Sequence, residues 1–426
     1  MRWGKYKRYT ATMSSDSHKN DLPHFVGIDV GTSKVRCVVG AINQAGEPEI
    51  IGYGISDNQG MRKGVVTHSE EVTNAIIAAI NEAERHSGRR VNAATINING
   101  SHVSGVNSKG VIAISAANRE ITNEDRYRVE DAAAVMQLPA NREIIQVFPK
   151  SYRLDGQDNI KDPVGMNGVR LEVDTHIVTA STPSVKSLDS ALAKAEVTIK
   201  HRTVSSLAAA EAVLNRQQKE AGTVVLDIGS GTTNLVVIED GEVQHVAVIP
   251  MGGTHMTNDL AIGLRTDLDI AEKVKLEHAN LSSKNHRSIA AVSIGKVQHT
   301  FNADDVRMII EARVEELFEY VDKELKKINR SRKLPGGVVI VGGAAKMPGL
   351  AEFAREQLQL PARIGTLLPI GGLADISEDS AYVSCIGLML LDMILDSSAQ
   401  NSGYDSDSVS LIKSISRLFG KARRKQ

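Results

Sequence analysis

The feature that most constrains this chain is a stretch it uses twice. Residues His24 to Ile42 read as strand, glycine turn, strand: Phe25-Val26-Gly27-Ile28 runs into Asp29-Val30-Gly31-Thr32-Ser33, and Val35, Cys37 and Val39 alternate with other residues on the way out. Thr223 to Ile249 repeats the plan, with Asp227-Ile228-Gly229-Ser230-Gly231-Thr232-Thr233 at its turn and a tight Asp240-Gly241 before a third strand. The two aspartates, at 29 and 227, stand 198 residues apart. Duplication on that scale predicts two lobes built alike. A length of 426 residues leaves room for them, since a domain takes roughly 100 to 200.

The turns carry chemistry as well as shape. A phosphate chain needs closely spaced backbone N–H donors, and only residues without bulky side chains let the main chain approach it, hence glycine beside Ser and Thr hydroxyls. Gly31, Thr32, Ser33 and Lys34 meet that need on one side, and Gly229, Ser230, Gly231, Thr232 and Thr233 on the other. Asp29 and Asp227 each end an apolar strand, where a carboxylate suits a hydrated Mg²⁺ that bridges phosphates and keeps most of its waters. A third element, Val341-Gly342-Gly343-Ala344-Ala345-Lys346-Met347, runs a strand into Gly-Gly and then a helix, as a backbone nearing a ribose or purine does. One such turn is ordinary hairpin chemistry. Two, with the third element, predict a nucleotide cleft.

Between the turns the pattern gives a strand at Glu49 to Ser56, a helix opened by Ser69 and ended by Gly88, and a strand at Thr95 to Asn99. Ser101 to Ala180 has its own rhythm of strands around a helix capped by Thr122 and reads as a small α+β insertion. Thr182 caps the next helix with Pro183 first inside it, and one helix is expected from Ser205 to Arg216. After the second turn come helices at Gly253 to Leu264 and Ile270 to His278, a strand at Ile289 to Ile294, a long helix from Asp304 to Asn329 and a strand at Val338 to Val341.

Composition narrows the partners. Lys plus Arg total 50 against 51 for Asp plus Glu, so no single-sign field gathers nucleic acid. Cys37 and Cys385 sit in apolar patterns as small core residues, which fits a reducing compartment. The longest apolar run, Ile386 to Leu395, is interrupted by Asp392 and falls short of the ~20 residues that cross a bilayer. Residues 1–22 are basic and aromatic without a secretory pattern and read as a disordered arm, with Met13 a candidate start.

In order and spacing the three elements resemble the phosphate-1, phosphate-2 and adenosine motifs of the actin, sugar-kinase and heat-shock-chaperone ATPases. Within that superfamily the chain from Phe25 to Leu395 looks like the bacterial FtsA cell-division family, with Asn58 to Gly64, Asp162-Pro163-Val164-Gly165 and Gly168-Val169-Arg170 as local matches. The resemblance implies an α/β, actin-like two-lobe fold with duplicated nucleotide-binding subdomains. Its parts would be 23–100 with 181–221 as subdomain 1A, 101–180 as the inserted 1C, 222–252 with 331–396 as 2A, and 253–330 as 2B. It implies ATP and Mg²⁺ as ligands, with Gly252 and Gly253 as a further contact. Glu272 and Lys275, one helical turn apart, would bond ribose and purine. Gly342, Gly343, Ala344 and Met347 would lie on the adenosine side.

The resemblance further implies self-association into filaments, attachment to the cytoplasmic face of the cell membrane at the division site, and recruitment of other division proteins. The C-terminal peptide of FtsZ would dock on the second lobe near Arg307 and Arg313. One departure bears on turnover. Where chaperone and filament relatives place Glu or Gln before an Ala-rich run, this chain reads Ser205-Ser206-Leu207-Ala208-Ala209-Ala210. A hydroxyl lacks the general-base pull of a carboxylate, so at most weak ATPase activity is expected. A sugar kinase would need a catalytic carboxylate facing a polar pocket, for which no motif stands out. A chaperone would need a peptide-binding domain, and only 31 residues follow Leu395.

Residues 397–407 are small and polar and read as a flexible linker spanning roughly 17 to 20 Å. From Ser408 onward the pattern becomes amphipathic. Leu411, Ile412, Ile415, Leu418 and Phe419 fall within an arc of about 120°, with Lys413, Arg417, Lys421 and Arg424 opposite. Such a basic helix suits an anionic lipid surface. It binds weakly alone, because ordering some fifteen residues opposes burial, and firmly when several copies act together.

Overall fold

The computed structural model describes residues 23–400 except 116–117, 137 and 283–288. The N-terminal arm and the amphipathic helix of 408–426 lie outside the described residues.

The first lobe opens with β1 (His24–Val30), β2 (Lys34–Ile42) and β3 (Pro48–Asp57), an antiparallel meander in which Ile28 faces Cys37. Phe25 to Val30 are all buried, as in a central strand covered on both faces. A short hairpin of β4 (Met61–Arg62) and β5 (Val65–Val66) precedes α1 (Ser69–Ser87). This helix buries Val72, Ile76, Ala79, Ile80 and Ala83, and ends where Gly88 turns left-handed, as its spacing predicts. Then β6 (Ala93–Ile98) lies parallel beside β1.

The insertion is β7 (Ser104–Ala113), α2 (Asn123–Ala134), β8 (Arg142–Leu154), β9 (Gln157–Ile160) and β10 (Arg170–Ser181). Thr122 and Asp125 close a reciprocal capping box at the start of α2, which packs Val129 and Ala133 against Tyr152, Leu171 and Val173. α3 (Thr182–Lys194) starts with Pro183 in its first turn, although Ser181 rather than Thr182 occupies the N-cap. β11 (Thr198–Val204) then pairs with β6 and leads into α4 (Ser205–Val213) and α5 (Arg216–Ala221). The sequence predicts a single helix here. Asn215 divides it by accepting the Gln218 N–H and opening a capping box of its own.

The second lobe repeats the meander in β12 (Thr223–Ile228), β13 (Thr233–Glu239) and β14 (Glu242–Ile249). It continues with α6 (Gly253–Gly263), α7 (Leu268–His278), the hairpin β15 (Ile289–Ile294) and β16 (Val297–Asn302), and α8 (Ala303–Lys327). β17 (Gly337–Val341) lies parallel to β12 and is followed by α9 (Leu350–Leu358) and β18 (Ala362–Ile364). Short β19 (Gly371–Gly372) returns to the edge of β3, and α10 (Ala374–Ser377) leads to α11 (Val383–Gln400).

Two features of the assembly are not visible in the pattern. Ser104 on β7 pairs with Ala247 on β14, so insertion and second lobe form one nine-stranded sheet in the order β18-β17-β12-β13-β14-β7-β10-β8-β9. The second feature corrects a boundary. Residues 331–396 read as second lobe, yet α11 lies across the first-lobe sheet: a side chain at Gly387 would stand 1.9 Å from the Ala208 carbonyl of α4, and one at Gly27 of β1 would stand 2.4 Å from the Cys385 carbonyl. Small residues permit that crossing. Asp392, read only as a break in an apolar run, is fully buried there and accepts from Val26 N–H (3.0 Å), Thr95 Oγ1 (2.9 Å) and Lys200 Nζ (3.2 Å). The helix also runs to Gln400, four residues into the span read as linker. No helix among the described residues is long and apolar enough to cross a membrane.

Candidate nucleotide site

The two turns face each other. A side chain at Gly231 would reach within 2.8 Å of Thr32 Oγ1, so the tips of the two hairpins touch across the lobes. In the first turn Gly31 N–H donates to Lys34 O (3.0 Å), Asn58 Nδ2 donates to Gly31 O (2.8 Å), and Gly64 N–H donates to Thr32 Oγ1 (3.1 Å). Ser33 is exposed at the tip. In the second, Gly229 N–H donates to Thr232 O (2.9 Å), and the N-terminus of α6 holds the turn from behind. There Gly253 N–H donates to Gly229 O (2.9 Å) and Thr254 N–H to Ser230 O (2.8 Å). Gly252 and Gly253 therefore brace the second turn, and a side chain on Gly252 would strike Gly229 O at 2.4 Å.

Asp29 and Asp227 stand at the feet of the turns, each nearly buried. Asn97 Nδ2 donates to Asp29 Oδ1 (2.5 Å) and Ser384 Oγ to Asp227 Oδ2 (2.9 Å). Burial, then the Asp227 carboxylate, pushes the Asp29 carboxyl up to about 7 against the pull of Arg36. Asp227 is raised by burial, with the Ser384 bond and Arg36 opposing. A buried carboxyl whose proton affinity is raised by the buried carboxylate beside it makes a place that favours a cation. Among the described residues no three His, Cys, Asp or Glu gather as a closed metal cage. A pair of carboxylates beside phosphate-binding turns is a donor set that fits hydrated Mg²⁺.

Glu272 and Lys275 also reach the cleft. Lys275 Nζ donates to Glu272 Oε2 (2.6 Å), Thr257 Oγ1 (2.9 Å) and Gly253 O (3.2 Å), which ties α7 to the start of α6. On the remaining side Gly342 adopts φ +89°, and a Cβ there would lie 2.5 Å from Asp227 Oδ1. That close approach and left-handed backbone require glycine. Gly343 opens a short 3₁₀ turn to Lys346 and has open space where a side chain would be, with Ala344 and Met347 beside it.

Four predicted residues take other roles. Lys34 turns away to pair with Asp57. Thr233 is fully buried and donates its hydroxyl to Met251 O (2.8 Å), which makes it an anchor of β13 rather than a phosphate contact. Arg307 pairs with Glu311 (2.7 Å), while Arg313 pairs with Asp259 and Glu316, so neither is a free cation for an acidic peptide. The reason is local: both lie on α8 with a carboxylate three or four residues onward.

Two site residues, Asn97 and Lys63, escaped the sequence reading. Asn97 also takes Val30 N–H (2.8 Å) and donates to Ser205 Oγ (3.1 Å), linking β1 to the start of α4. Its only signal was a polar residue ending an apolar strand. Ser206, already marked in the sequence, is fully buried, and its hydroxyl has no hydrogen-bond partner among the described residues. Lys63 is exposed beside Gly64 and makes no ion pair among the described residues, while its charge helps burial to depress His255 on the opposite lobe. It lies within Asn58 to Gly64, a stretch singled out in the sequence for other reasons.

Comparison with known proteins agrees with this architecture. A family model described as "SHS2 domain inserted in FTSA" matches residues 100–179, and one described as "Cell division protein FtsA" matches 224–387. Among curated relatives, the cell division protein FtsA of Pseudomonas aeruginosa is 33% identical over 90% of this chain and 93% of its own length. That of Bacillus subtilis is 36% identical over 87% of this chain and 83% of its own. Among solved structures, a PilM–PilN type IV pilus biogenesis complex superposes with TM-score 0.63 at 16% identity, covering 86% of this chain and 98% of that one. MreB5 of Spiroplasma citri bound to ADP superposes with TM-score 0.54 at 13% identity, covering 89% and 99%. The fold is actin-like, with the expected inserted domain.

Proposed function

This chain belongs to the FtsA family of cell-division proteins, and we propose that it binds ATP with Mg²⁺ between its two turns, self-assembles, and ties FtsZ to the inner face of the cytoplasmic membrane. The observation that carries this is the meeting of Thr32 and Gly231 with Asp29 and Asp227 at their feet. Ser33, Ser230 and the backbone of both turns would hold the phosphates, and Lys63 would add a cation from the rim. Asp29 and Asp227 would hold the hydrated Mg²⁺, which neutralises phosphate charge when bound. Gly342, Gly343, Ala344 and Met347 on one side, with Glu272 and Lys275 on the other, would bracket the nucleoside. The resemblance to MreB5 solved with ADP is in keeping with such a ligand.

Hydrolysis is expected to be weak. Ser206 occupies the place of a water-positioning carboxylate, and a hydroxyl is no general base near neutral pH. ATP therefore acts as an assembly switch, and assembly multiplies the weak membrane affinity of the segment 408–426. The FtsZ C-terminal peptide docks on the second lobe, and other division proteins join the assembly.

The test is sedimentation with liposomes containing anionic lipid, in the presence of ATP and FtsZ. The full chain should carry FtsZ into the pellet, and a chain truncated after Gln400, which keeps α11 whole, should leave both in solution. Equal pelleting by the two would reject the tether, and vigorous phosphate release would reject the switch.

A further inference from the structure

At the far end of β13 from the nucleotide turns, the insertion and second lobe flank an open cleft of about 480 Å³. Its walls come from β7, β8 and β10 on one side and from the β13–β14 hairpin and Arg330 on the other. That volume lies within the roughly 300 to 1,000 Å³ of small-molecule sites. The lining is polar, and its charges can be followed one by one. Arg330 pairs with Glu239 (2.6 Å), Lys109 with Asp174 (3.1 Å) and Lys161 with Asp240 (3.8 Å). Lys150 is left over. It is half-buried on β8, and among the described residues its ammonium makes no hydrogen bond or ion pair, although Asp174 and Glu239 act on it through space.

Four cations against three carboxylates leave one positive charge facing a polar cleft. Burial holds the Lys150 ammonium below its ordinary proton affinity, ahead of the opposing pull of Asp174 and Glu239, and Arg330 adds to the depression. An arriving oxyanion relieves that cost, because a charge-assisted bond replaces lost water. Ser151 and Asn159, whose side chains make no hydrogen bond among the described residues, stand beside it as further donors.

We propose that this cleft is a second ligand site, taking a small polar molecule that carries one phosphate or carboxylate group, with Lys150 as its anchor. A molecule held there touches the insertion through Lys150 and the second lobe through Arg330 and Gln244, so it braces the two at a place remote from the nucleotide.

The test is calorimetric titration of the full chain in excess MgATP, with inorganic phosphate in one arm and acetate in the other, so that the preferred head group is read from the comparison. Saturable uptake by the wild type is expected in at least one arm. Lys150→Met, of similar volume, should weaken it by about tenfold or more, and Lys150→Arg should retain most of it. Asn159→Asp guards against misfolding of the Lys150 variant. Asn159 is exposed at φ +61°, a conformation Asp shares with Asn, and the added negative charge should weaken uptake several-fold. No saturable uptake of either probe by the wild type, or equal uptake by wild type and Lys150→Met, would overturn the site.

Discussion

The two glycine turns carry nearly the same sequence signal and are held by different means. The first is braced by side chains reaching in from elsewhere in its own lobe: Asn58 to Gly31, Asn97 to Asp29 and Val30, with Thr32 receiving Gly64 N–H. The second is braced mostly by main chain, through the α6 N–H groups of Gly253 and Thr254, with the hydroxyls of Ser384 and Thr233 beside them. Backbone braces survive most substitutions, and side-chain braces do not. The first turn is therefore the one that single mutations should loosen.

α11 joins the two. Near its start Ser384 holds Asp227 of the second lobe, and two turns later Asp392 holds Val26, Thr95 and Lys200 of the first. Asp392→Ala strips a buried, paired charge and leaves those donors unmet, so a loss of about 3 to 5 kcal/mol is expected. Urea unfolding checks it. A shift under about 1 kcal/mol would mean that α11 is held by apolar packing alone.

Gly231→Val comes next, and acts on function rather than stability. The new side chain meets Thr32, so the turns cannot close on a ligand, and ATP affinity should fall by about a hundredfold or more, near 2.7 kcal/mol. Titration with a fluorescent ATP analogue measures this. Unchanged affinity would show that the touching tips are not the phosphate site.

The asymmetry itself is tested by a pair. Asn97→Ala removes three bonds, at Asp29, Val30 and Ser205, and is expected to cost about 1 to 3 kcal/mol, while Ser384→Ala removes one and should cost about 1 kcal/mol. Equal losses in melting temperature and ATP affinity would dissolve the distinction between the turns.

How much of this was legible follows the same division. Strand, turn and glycine signals are local, so both meanders, α1 with its Gly88 end, the Thr122 cap and the insertion could be read from spacing. The braces are not local. Asn97 reaches Asp29 across 68 positions and Ser384 reaches Asp227 across 157, and a polar residue in an apolar run does not declare its partner. Asp392 was visible only as an interruption. The same blindness misassigned α11 to the second lobe, because chain order places it there while packing at Gly27 and Gly387 draws it to the first. It also left Arg307 and Arg313 as candidate free cations, although Glu311 and Glu316 were in plain sight at helical spacing.

The seam between insertion and second lobe offers the mildest test of how a contact between regions is held. Val246 N–H donates to His176 Nε2 (2.9 Å), which must be unprotonated to accept it, and His176 Nδ1 faces Asn107 Oδ1 (2.8 Å). Burial first, then the charges of His245 and Lys150, holds the His176 imidazole down at about 3. Unfolded, it titrates near 6.5. Between those values the unfolded chain binds a proton that the folded one does not, so stability rises with pH across that window. The contribution is complete above about 6.5 and is lost as pH falls toward 3. His176→Gln keeps an acceptor for Val246 and removes the titration. It should change stability little at pH 7 and flatten the slope between pH 6 and 4 by up to about 1.4 kcal/mol per pH unit. Denaturant unfolding at a series of pH values reads that slope. An unaltered slope in the variant would place the acid sensitivity outside this seam, which the Ser104–Ala247 strand pairing and the Lys161–Asp240 pair also hold.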